Sequence, residues 1–261
     1  MNILHSLIVG NTGEDLIILH GFLGMGDNWK TYAKGLAVLG YRVHLIDQRN
    51  HGKSFWSNDF SYSIMAEDIV AYCKTHSLEK VLVLGHSMGG KTAMYLACYH
   101  SELIKAFIIA DIAPKNYEPH HQQILNGLSQ LDFGQISSRA IAEQQLSNWV
   151  KDASTRKFLL KNLYWLEPGK LGLRINIDVL KNMSEAIGLG LDSEAKSDVP
   201  CLFLKGENSD YILDSDGPII KYHFPNSSQV SIPKVGHWLH AESPKEFFTI
   251  TSHWLINNIN F

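Results

Sequence analysis

The sequence predicts an α/β fold with a mostly parallel sheet flanked by helices, and three observations carry that prediction. Short apolar runs that suit buried strands alternate with helical patterns along most of the chain. One of these runs, Val81-Leu82-Val83-Leu84, passes through Gly85-His86-Ser87-Met88-Gly89 straight into a helical segment. The alternation then lapses over roughly eighty residues before it resumes, too long a stretch for a loop within a compact domain.

Taken in order, residues 3–9 and 16–20 are two apolar runs joined by Gly10-Asn11-Thr12-Gly13-Glu14-Asp15. They read as a hairpin whose second strand enters the sheet interior. His20-Gly21-Phe22-Leu23-Gly24 is a glycine-bearing loop ahead of a helix over 29–39, and 41–46 is the next strand. A turn, Asp47-Gln48-Arg49-Asn50-His51-Gly52-Lys53-Ser54, closes it. Ser63 is expected to cap a helix striped with Met65, Ile69 and Cys73, with Glu67 and Asp68 in its first turn. After the strand at 81–84, Gly89, Ala93 and Ala97 recur every fourth residue and give a smooth helix face that can lie close to a sheet. Residues 104–110 form another buried strand, ending in Asp111-Ile112-Ala113-Pro114.

Helical patterns without a buried strand then cover 117–131, 139–150, 155–166 and 178–187. They read as a helical lid over 116–195, inserted between a first core part at 1–115 and a second at 196–261. In the second part 201–205 and 229–232 are strands, and Ser243-Pro244-Lys245-Glu246 opens the closing helix with a capping box.

Bulk properties narrow the function. A length of 261 residues with 45% hydrophobic and 19% charged side chains describes an ordinary globular chain. A net charge of −3 with mixed signs gives no basic surface for nucleic acid. No apolar run is long enough to span a bilayer. The first residues lack a basic region and an apolar core, so no secretory signal is expected. Cys73, Cys98 and Cys201 are far apart and in no ligand pattern, which suits reduced core cysteines and a cytoplasmic location.

The chemistry centres on Ser87. Gly-x-Ser-x-Gly between a strand and a helix is a nucleophile elbow, a strained turn that lifts the hydroxyl above the sheet. Serine is a weak nucleophile, so an imidazole must take its proton and a carboxylate must orient that imidazole. His237 lies past the last strand in a loop before a helix, and an aspartate between the two in sequence completes the chain order Ser, Asp, His. An oxyanion hole needs two backbone N–H groups, at Met88 after the nucleophile and at Phe22 in the glycine loop. Most of the thirteen histidines need no catalytic role. His86 is expected to help hold the elbow, His51 to be structural, and His120 and His121 to lie at the lid edge. Trp149, Phe158, Tyr164 and Trp165 are candidates for either lid core or pocket wall.

Together these residues resemble an α/β-hydrolase, and more narrowly the YbfF-type bacterial esterases and their mitochondrial relatives. The resemblance is carried by Asp47-x-Arg49-Asn50-His51-Gly52-x-Ser54, Gly85-His86-Ser87-Met88-Gly89-Gly90-Lys91, Asp111-Ile112-Ala113-Pro114 and Gly236-His237-Trp238-x-His240-Ala241-Glu242. It implies hydrolysis of small acyl esters, extending to acyl-CoA thioesters, with neither metal nor organic cofactor. A lyase using the same three residues, or a receptor built on this fold, are the competing readings. Many α/β-hydrolases carry their acid in a Gly-x-x-Asp turn; here the turn reads Gly206-Glu207-Asn208-Ser209, with Asp210 one place late. A one-residue slip redirects a side chain. Asp111, which ends the strand beside the nucleophile strand, is therefore preferred to Asp210.

Overall fold

The β-branched and leucine-rich runs become strands that are covered on both faces. The computed structural model describes residues 2–258. Among them, β1 (Ser6–Val9), β2 (Glu14–Leu19), β3 (Tyr41–Ile46), β4 (Val81–His86), β5 (Ile104–Ala110), β8 (Cys201–Gly206) and β9 (Ser227–Ile232) form one sheet. Its order is β1-β3-β2-β4-β5-β8-β9, parallel except for β1. Alternation along each strand sends successive side chains to opposite faces. Ile17, Leu19, Val83 and Ile109 thus pack under α2 (Tyr62–Thr75) and α3 (Met88–Tyr99), sharing a core with Met65, Ile69 and Leu96. Leu16, Ile18, Leu84 and Ile108 pack on the other side with Leu36 of α1 (Lys30–Val38) and with Phe247 and Leu255 of α11 (Pro244–Asn258).

The expected hairpin of residues 3–9 and 16–20 is not formed. β1 pairs antiparallel with β3, which lies between it and β2. The connection crosses tightly over the start of β3: Gly13 has φ +105°, and a Cβ there would lie 1.7 Å from Gly40 O. The cap of α2 also shifts. Ser61, not Ser63, accepts from Ile64 N–H at 3.3 Å, because Ser61 has the extended backbone a cap needs.

The insertion carries α4 (Gln122–Ser129), α5 (Arg139–Ser147), α6 (Ala153–Leu159), α7 (Ile177–Asn182) and α8 (Ser184–Gly188), and also a hairpin that the sequence reading missed. The helix expected over 155–166 stops early. β6 (Leu163–Glu167) pairs antiparallel with β7 (Lys170–Leu173) around Pro168-Gly169, where proline and glycine favour a turn over helix. The two ends of the insertion meet above α3. Lys91, fully buried, donates through Nζ to Lys115 O at 2.6 Å and Leu189 O at 2.5 Å. Tyr117 N–H donates to Gly188 O at 2.8 Å and Leu191 N–H to Pro114 O at 2.9 Å. Beyond the insertion, α9 (Gly217–His223) and α10 (Leu239–Glu242) complete the core.

Candidate active site

Two neighbouring strands end in register, and the next residue of each leaves the ordinary backbone regions. His86 on β4 is paired with Ala110 on β5. Ser87 follows at φ +52°, ψ −116°, and Asp111 follows at φ +55°. Both are held there: Ser87 N–H donates to Ala110 O at 3.0 Å and Asp111 N–H to Leu204 O at 2.8 Å. Strain of this kind persists only where its surroundings enforce it, and it clusters at functional sites. The turn has no room for side chains beside Ser87. A Cβ on Gly85 would meet Gly89 O at 2.3 Å, and one on Gly89 would meet Leu19 O at 2.2 Å.

Asp111 is fully buried and its carboxylate is surrounded by donors. His237 Nδ1–H donates to Oδ2 at 2.8 Å, Gly206 N–H donates to Oδ1 at 3.0 Å, and the Ser209 hydroxyl also donates to Oδ2. Asp210 is exposed. Ser209 stands where a Gly-x-x-Asp turn has its aspartate, so the turn contributes a hydroxyl to Asp111. The sequence departure contained this signal, but the role of Ser209 was missed.

The His237 loop is fastened on either side of the imidazole. Glu242 accepts from Gly236 N–H at 2.7 Å and from Trp238 N–H at 3.1 Å. His86 Nε2–H donates to His237 O at 2.9 Å, so this ring fastens the His237 loop, where the sequence pointed to the elbow. Burial, reinforced by His237 and His240, keeps the His86 ring neutral far below the usual histidine range.

The glycine loop is held by two neutral histidines. His20 Nε2 accepts from Gln48 N–H at 3.0 Å while its Nδ1–H donates to Gly21 O at 2.8 Å. His51 Nε2 accepts from Leu23 N–H at 3.3 Å while its Nδ1–H donates to Arg49 O at 2.9 Å. From the insertion, Asn162 Nδ2–H donates to Leu23 O at 2.8 Å. Phe22 therefore sits in a fixed turn that lines the same cavity as Ser87, and Met88 begins α3 directly after Ser87.

Burial pushes His20 down to about 4, and burial together with His20 pushes His51 down to about 3. Both titrate near 6.5 in an unfolded chain. Unfolding below pH 6.5 thus takes up protons that the fold excludes, so their stabilisation is complete above pH 6.5 and is lost as pH falls. Between pH 7 and pH 5 the two groups together should cost about 4 kcal/mol of stability. Urea midpoints should fall progressively over that range; a constant midpoint would mean that these rings take up protons as readily in the fold as in the unfolded chain.

Ser87, Phe22 and His237 share the wall of a cavity of about 380 Å³. Its apolar surface comes from Leu23 and Trp238 of the core and from Ile124, Phe158 and Leu159 of the insertion. His121, beside Phe22 at 5.1 Å between ring centroids, is held neutral by burial and by His120, down to about 3. Among the residues weighed as pocket wall, Phe158 lines the cavity, packed on Trp238 at 5.5 Å. Trp165 is 51% exposed and Trp149 37%, so both face outward. No hydrogen bond joins Ser87 Oγ to His237 among the described residues; such contacts often tighten only when substrate is bound. The described residues also include no helix long and apolar enough to cross a membrane.

Comparison with known proteins agrees with this fold. A family model described as the alpha/beta hydrolase fold matches residues 16–244. The sn-1-specific diacylglycerol lipase ABHD11 of Mus musculus is 32% identical over 247 residues, covering 92% of this chain and 80% of that protein. Esterase YbfF of Escherichia coli (strain K12) is 30% identical over 235 residues, covering 90% of each chain. The solved structure of a marine microorganism esterase superposes with a TM-score of 0.93 at 43% identity, covering 97% of this chain and 99% of that one. With strand ends, elbow and sequence relatives in agreement, the chain belongs to the α/β hydrolase fold family and is a serine hydrolase.

Proposed function

We propose that this enzyme hydrolyses carboxylic esters through an acyl-serine intermediate, with Ser87 as nucleophile, His237 as base and Asp111 as the acid that orients it. The observation that carries the reading is the 2.8 Å bond to the buried Asp111 carboxylate from Nδ1–H of His237, which lines the same cavity as Ser87. With Nδ1 committed to Asp111, Nε2 is the ring nitrogen left to take a proton.

In the first half-reaction Ser87 Oγ attacks the ester carbonyl and its proton passes to His237 Nε2. The carbonyl oxygen becomes an oxyanion, and the N–H groups of Met88 and Phe22 are the donors assigned to it in this reading. The C–O bond to the alcohol then breaks, and the alcohol leaves with the proton from Nε2. In the second half-reaction water replaces the alcohol: its proton goes to Nε2, the acid is released, and Ser87 Oγ recovers a hydrogen.

The apolar cavity wall favours an uncharged acyl chain, and acyl-CoA thioesters are the second substrate class. Relatives named as diacylglycerol lipases make glycerolipid esters worth including. We further propose that residues 116–195 act as a lid that sets acyl selectivity, and that the enzyme is cytoplasmic, which suits the free Cys73, Cys98 and Cys201. A turnover panel of p-nitrophenyl and CoA esters with short to long acyl groups tests the reading, which fails if no ester is turned over. Within that panel, Phe158→Ala should change the ratio of long-chain to acetyl turnover by about tenfold, the order of one methylene gained or lost in an apolar pocket. Trp165→Ala should leave the ratio unchanged. Equal profiles for Phe158→Ala and the parent would remove Phe158 from the acyl pocket.

A further inference from the structure

One aromatic ring lies against the proposed base, and the acyl-transfer steps leave it unused. Tyr211 is stacked on His237, with centroids 3.8 Å apart and planes 17° from parallel. Three residues hold it. Its hydroxyl donates to His120 Nε2, and His120 Nδ1–H donates to Glu118 O at 2.9 Å. Its carbonyl accepts from the Tyr117 hydroxyl at 2.5 Å. Its N–H donates at 3.3 Å to Ser209 Oγ, the hydroxyl that serves Asp111. Tyr117 and His120 belong to the start of the insertion, and Ser209 belongs to the turn after β8.

We propose that Tyr211 is a positioning residue for His237: its ring face fixes the plane of the imidazole and lies against the charge that develops on that ring in the transition state. The bond from Nδ1 to Asp111 fixes one edge of the imidazole and leaves tilt about that edge free. A parallel aromatic face anchored to the insertion and to the acid's own turn removes that freedom. The π face also attracts a cation. When the Ser87 proton reaches Nε2, the charge appears next to that face, so the contact strengthens in the transition state and raises kcat, not merely affinity. His86, at 4.7 Å and tilted by 40° to His237, offers no such parallel surface.

The inference rests on His237 as the base, and the experiment separates the two. Steady-state kinetics on p-nitrophenyl acetate compare Tyr211→Leu, Tyr211→Phe and His237→Ala, with folding checked by circular dichroism. Removing the ring in Tyr211→Leu should lower kcat by about tenfold while KM stays within about twofold. Tyr211→Phe keeps the face, loses only the His120 bond, and should hold kcat within about threefold of the parent. A His237→Ala enzyme with normal turnover would overturn the base assignment and this inference together. An inactive His237→Ala enzyme beside a Tyr211→Leu enzyme of normal kcat would overturn only the role of Tyr211. Equal losses in the Phe and Leu variants would also overturn it, because the ring face would then not be the operative feature. Should Tyr211→Leu fail to fold, Tyr211→Met makes the same comparison with a more adaptable side chain.

Discussion

Ser87→Ala is expected to lower kcat for ester hydrolysis by on the order of a million-fold, because the members of such a constellation act as a unit. The elbow should survive the change. Its shape is set by Gly85, Gly89 and the bond from the residue 87 amide to Ala110 O, none of which involves the hydroxyl. Binding of ester should persist, since the cavity wall keeps Phe22, Phe158 and Trp238. What disappears is the only step that makes the acyl-enzyme. The measurement is turnover of p-nitrophenyl acetate by purified variant with unchanged thermal unfolding. Activity above about one per cent of the parent would be far more than the remaining site can supply.

The next largest effect is expected from Asp111→Asn, on the order of 10³ to 10⁴ in kcat. Asparagine has nearly the same shape and tolerates a positive φ, so the strained backbone can be kept. The amide, however, cannot offer two accepting oxygens to His237 Nδ1–H, Ser209 Oγ–H and Gly206 N–H at once. Either one donor is left unpaired in a buried place, or the imidazole turns its proton to Nε2, where it cannot take one from Ser87. Asp210→Asn, at an exposed position, should cost less than about tenfold. The reverse ranking, with both variants folded, would transfer the orienting role to Asp210.

The parts of this site that were legible in the sequence are those set by local geometry. Gly85 and Gly89 bracket Ser87 because the strand-to-helix turn excludes any Cβ, and that constraint is written in five consecutive residues. His237 and Asp111 were legible as residues just beyond strand ends, where open parallel sheets gather their ligands. Features that depend on distant packing were not. β1 immediately precedes β2 in sequence yet pairs with β3, since the crossing over Gly40 is a tertiary event. The break after Leu159 was hidden because Leu163 to Leu166 continue an apolar pattern; Pro168-Gly169 was the available signal for β6 and β7. Tyr211 left no trace at all, because its stacking on His237 depends on the turn after β8 and on the start of the insertion.

The acyl-serine pathway is tested most directly by covalent trapping. A fluorophosphonate should react once per chain, forming a bond from phosphorus to Ser87 Oγ with loss of fluoride, and peptide mass mapping should place the adduct on the segment containing Ser87. Labelling should vanish in Ser87→Ala and slow sharply in His237→Ala. Unlabelled parent enzyme that still turns over esters, or an adduct that persists in Ser87→Ala, would contradict the pathway.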